Sequence, residues 1–87
     1  MSPVRTFLVE AYAPAQAEFT SLLEQARLAA AGSEAGAAIR HVRSILVRDD
    51  ETCFHLFEAE SIAAVTAAMA AAEVRAQRIV EVAVERL

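Results

Sequence analysis

Cys53 and His55 stand two positions apart in the stretch S-I-L-V-R-D-D-E-T-C-F-H-L-F-E-A, from Ser44 to Ala59. On a strand, side chains at i and i+2 share one face, so a thiol and an imidazole would project together. Both are donors to borderline and soft metals. An imidazole in a partly apolar cleft can also serve as a general acid or base. Glu10, Tyr12, Arg43 and Glu81 lie on the other segments with strand character. A carboxylate, a phenol, a guanidinium and an imidazole on one apolar face would make a ligand cleft. In that cleft His55 is the principal donor, Glu10 its charge partner and Arg43 the anchor for an anionic group. The same charges also read as ion pairs that fix the register of a protein interface.

The elements that must carry these residues follow from periodicity. Thr6 to Tyr12 (T-F-L-V-E-A-Y) is rich in aromatic and β-branched residues and stops before Pro14, as a strand leading to a helix start does. Phe19, Leu22, Leu23, Ala26 and Ala30 repeat as one helical stripe, and Gly32 and Gly36 bracket the loop that ends it. Ile39 to Val47 and Cys53 to Glu58 form a hairpin around Asp49-Asp50-Glu51. Ser61 is placed to cap a second helix whose buried stripe is Ile62, Val65, Met69 and Ala72. Ile79 to Glu85 alternates and closes the chain. The order β-α-β-β-α-β predicts a single α+β domain over residues 1–87. It is a ferredoxin-like sandwich, a four-stranded antiparallel sheet in the order 4-1-3-2 with both helices on one face.

Parity then sorts the strands. Phe7, Val9 and Ala11 are expected under the helices, leaving Leu8, Glu10 and Tyr12 on the open face. Val42 and Leu46 suit the core, leaving His41, Arg43, Ile45 and Val47 outward. Phe54 and Leu56 suit the core, leaving Cys53, His55 and Phe57 outward. On the last strand Val80, Val82 and Val84 suit the core, with Ile79, Glu81 and Ala83 outward. A three-residue turn would pair Val47 with Cys53, Ile45 with His55 and Arg43 with Phe57. A slip of one residue would reverse the relation between the two strands.

Composition bounds the function. Hydrophobic residues make up 56% of the 87, above the ~45–50% of ordinary globular chains. Much of the excess is alanine, and on so small a chain it predicts self-association. A net charge of −4 argues against nucleic acid, which requires a basic footprint. The longest apolar stretch, Ile62 to Ala72, is about half the ~20 residues that a spanning helix needs. The N-terminal apolar run is broken by Glu10 and Tyr12 and reads as a strand of the mature protein rather than a leader. One cysteine permits no internal disulfide and suits the cytoplasm. There is no C-x-x-C, no glycine-rich phosphate loop and no serine elbow.

F-L-V-E-A-Y, V-R-S-I-L-V, C-F-H-L-F-E-A and R-I-V-E-V together resemble a family of small bacterial proteins, a domain of unknown function with a ferredoxin-like fold. Some of its members are described as nickel-binding. The resemblance runs from Thr6 to Val84 and implies a homodimer whose sheets pack face to face, a dimeric α+β barrel. Such barrels include small isomerases, cyclases and monooxygenases, which would make His55 an acid or base and Tyr12 a hydrogen-bond donor. The implied nickel ligands are a histidine where this chain has Arg43, a cysteine where it has His55, and a helical histidine near Ala68. A permanently cationic Arg43 opposes a metal at that spot. A reduced site would use His55 and Cys53, completed by Glu10 or a partner group.

Overall fold

The computed structural model describes residues 4–32 and 38–85. Gly36 and most of the loop expected around it lie outside the described residues. The elements are β1 (Arg5–Tyr12), α1 (Phe19–Ala31), β2 (Arg40–Val47), a short 3-10 turn (Arg48–Asp50), β3 (Thr52–Ala59), α2 (Ile62–Ala71) and β4 (Ala76–Val82). One antiparallel sheet runs β2-β3-β1-β4. This is the expected ferredoxin-like α+β topology, with β1 and β3 central.

Alternation on β1 sends Phe7, Val9 and Ala11 inward, where each is buried. Phe7 and Val9 meet Ala26, Ala29 and Ala30 of α1 and Val65, Ala68 and Met69 of α2. Small alanines on α1 let a short helix lie close to the sheet, while Phe7, Phe57 and Met69 fill the volume between. Pro14 sits upstream of α1 in a turn, with Ala17 N–H donating to its carbonyl at 2.8 Å, rather than in the first helical turn. Ser61 caps α2 as expected, its Oγ accepting from Ala64 N–H at 3.1 Å. Ile62, in the first turn of α2, is 44% exposed, and Ala68 takes the inward place beside Val65 and Met69.

The hairpin departs from the expected register by one residue. Four residues, Arg48 to Glu51, form the turn, with Glu51 left-handed at φ 49. Val47 therefore pairs with Thr52, Ile45 with Phe54 and Ser44 with His55. The slip turns β3 over: Cys53, His55, Phe57 and Ala59 face the helices and are buried, while Phe54 and Leu56 face outward opposite Glu10 and Leu8. Both parities of C-F-H-L-F are largely apolar, so hydropathy alone does not choose between them. The turn does.

Two further corrections follow from pairing. On β2, His41 pairs with Phe57 and Arg43 with Leu56, so Val42 is an extra residue in a β-bulge. Past that bulge His41, Ser44 and Leu46 share the helix side, whereas Arg43, Ile45 and Val47 lie on the open side. On β4, Ile79 pairs with Val9 and Glu81 with Phe7, while Val80 and Val82 pair with Leu8 and Thr6. Ile79 thus joins the core, and Val80 and Val82 lie on the open face. The segment I-V-E-V-A-V has apolar residues on both parities, so its alternation carries no sign.

Candidate functional site

The sequence-predicted residues divide between the two faces of the sheet. Glu10, Tyr12 and Arg43 are on the open face; His55, Cys53 and Glu81 are on the helix side. The expectation that Glu10, Arg43 and His55 share a chamber is overturned by the register of β3. Glu81 lies at the rim of the helix side, with its carboxylate 3.7 Å from the Arg5 guanidinium.

Under the helices the bulge builds a polar chain that a regular strand would not allow. His41 and Ser44 are three positions apart and would otherwise point to opposite faces. With Val42 looped out they meet: His41 Nε2 is 2.8 Å from Ser44 Oγ, and Ser44 Oγ is 2.5 Å from His55 Nδ1. Cys53 Sγ touches the same Nδ1 at 4.0 Å. The two rings are edge-on with centroids 6.0 Å apart, and His41 lies 5.4 Å from Phe57. Ser44 Oγ has one proton to donate and two lone pairs to accept with, so it can link the two imidazoles while both rings are neutral.

Electrostatics agree with that bonding. Burial, followed by the neighbouring His41, pushes His55 down to about 4. Burial also lowers His41, opposed by a backbone hydrogen bond to Arg43. Burial raises the Cys53 thiol, which leaves it protonated and a poor nucleophile. Among the described residues, no three His, Cys, Asp or Glu side chains gather where they could hold a metal ion.

The open face is ordered in rows across β2, β3, β1 and β4. Arg40, Glu58, Thr6 and Val82 make the first; Arg43, Leu56, Leu8 and Val80 the second; Ile45, Phe54, Glu10 and Arg78 the third. Its centre is apolar and no element of the described chain covers it. Ile45 is 48% exposed and Tyr12 56%. Tyr12 Oη donates to Glu51 Oε2 at 3.3 Å, so the phenol points to the hairpin turn.

At the first row the face dips into a concavity of about 690 Å³, lined by Arg40, Val42, Arg43, Leu56 and Glu58, with Thr6, Val84 and Glu85. Arg40 donates through Nε and Nη2 to Glu58 Oε1 at 2.9 and 2.6 Å. The Arg43 guanidinium forms no ion pair among the described residues. Sequence reasoning missed Ser44, Val42 and this concavity, because Ser44 meets His55 only in the register of the four-residue turn and the other two depend on a bulge that nothing in H-V-R-S marks.

No family model, curated protein or solved structure matches the chain. No helix among the described residues is long and apolar enough to cross a membrane.

Proposed function

We propose that the chain is a small homodimeric binding module of the cytoplasm. In this reading two open sheet faces pack together and enclose a cleft for a small ligand. The observation that carries it is the apolar centre of the sheet on the side away from both helices, where Leu8, Phe54, Val80 and Val82 are partly exposed around a buried Leu56. A second copy is the occupant this face suits best, because a two-fold contact joins a surface to itself and asks no other protein for complementarity. Arg43 is the anchor in this reading, and its place in the lining of the concavity at the edge of that surface supports it.

Nickel and acid–base catalysis have less support. Their donors, Cys53 and His55, are buried on the covered side, and His55 is only 2% exposed. A ligand lying in the open-face cleft is separated from that imidazole by the sheet itself.

Light scattering on the full chain tests the reading. The wild type is expected at twice the chain mass at micromolar concentration. Ile45→Glu, which places a charge on the apolar face without touching the core, is expected at the single-chain mass with an unchanged circular dichroism spectrum. A wild type that stays at the single-chain mass at high concentration would contradict the proposal.

A further inference from the structure

We infer that the concavity at the first row of the open face takes an apolar α-amino acid as its zwitterion. The inference rests on the reading of that face as a ligand cleft and names what the cleft holds. At about 690 Å³ the space falls within the ~300–1,000 Å³ of small-molecule sites.

Charge bookkeeping selects the ligand class. Arg40 and Glu58 are tied to each other by two hydrogen bonds. Among the described lining residues that leaves one cation, Arg43, and one anion, Glu85, both exposed and neither in an ion pair with another described residue. A simple organic anion would bind Arg43 but face the carboxylates of Glu85 and Glu58. A simple amine would meet the converse problem at Arg43 and Arg40. A neutral molecule would gain a hydrogen bond at each charge but no opposite charge to pair with it. A zwitterion pairs its carboxylate with Arg43 and its ammonium with Glu85, both as charge-assisted hydrogen bonds.

The remaining lining suits an aliphatic side chain. Val42, Leu56 and Val84 supply the apolar wall, and Thr6 adds one hydroxyl. The bulge is what makes the combination possible. In a regular strand Val42 and Arg43 would point to opposite faces, whereas here both line the same concavity. An apolar contact and a carboxylate anchor thus come from adjacent residues.

Titration calorimetry of the full chain with leucine, isocaproate and isoamylamine tests this, because the last two lack the ammonium and the carboxylate respectively. Leucine is expected to give saturable heat, with each analogue weaker by about tenfold or more. Arg43→Gln is expected to weaken leucine by a similar factor. Glu85→Gln is expected to abolish the preference for leucine over isocaproate. Absence of saturable heat with leucine, or isocaproate binding the wild type as tightly as leucine, would overturn the inference. Mass measured on the same sample separates the two proposals. A silent dimer removes only the amino-acid site, and a monomer that binds leucine removes only the dimer.

Discussion

His55 carries a consequence that its placement makes unavoidable. Its ring is buried beneath the helices, held at Nδ1 by Ser44, and its pKa falls from the ordinary histidine value to about 4. A folded pKa below the unfolded one means that the unfolded chain binds the extra proton. Stability from this group is therefore complete above about pH 6.5 and is lost as pH falls towards 4. The full loss is on the order of 3 kcal/mol. Urea unfolding at pH 7.5, 6 and 4.5 should show this decline, and His55→Gln should flatten it chiefly between 6 and 4.5. An unchanged slope in the variant would mean that the imidazole is not the titrating group. The donors around His55 were visible in the sequence as residue types. Their partners were not, because the Ser44 bridge exists only once Val42 has left the strand pairing.

Individual elements were legible wherever local physics decides them. The alternation of β1, the Ser61 cap and the apolar stripe of α1 all depend on near neighbours, and all appear where the residues place them. The signs of β3 and β4 were not legible, because both of their faces carry apolar side chains and the choice passes to turn length. Glu51 shows how: its left-handed backbone closes a four-residue turn, and its carboxylate accepts from Tyr12 Oη and Ala15 N–H. That latch fixes the turn against the β1–α1 loop.

The end of α2 shows the same backbone choice without such compensation. Glu73 is left-handed at φ 59, with its N–H donating to Ala70 O at 3.1 Å and Val74 N–H donating to Met69 O at 2.8 Å. This is a Schellman ending with glutamate at the position that favours glycine. Glu73→Gly should raise unfolding stability by about 1 kcal/mol, as the left-handed strain on a Cβ is relieved. A loss of stability in denaturant melts would show that the Glu73 side chain contributes something beyond its backbone.

For the molecule as a whole, the two faces of the sheet have separate tasks. One is closed by alanine-rich helices over Phe7, Phe57 and Met69. The other retains an apolar centre between charged rims. That open face carries Arg40, Arg43 and Arg78 against Glu10, Glu58 and Glu85, a balanced set on a chain with net charge −4. Two copies meeting there would bring together faces that add no net charge to their overall acidic repulsion. Topology was legible from the order and spacing of the elements, while the contents of each face were not, since one residue in a turn and one in a bulge set them. Because the ligand cleft is read from the same surface, the identity of the interface governs everything proposed here.

Isotope-filtered NMR on a mixture of labelled and unlabelled chains tests that interface directly. A face-to-face dimer gives intermolecular NOEs from the side chains of Leu8, Ile45, Phe54 and Leu56. Intermolecular NOEs confined to helix-surface residues such as Leu28 and Ile62, or none at all at millimolar concentration, would contradict it.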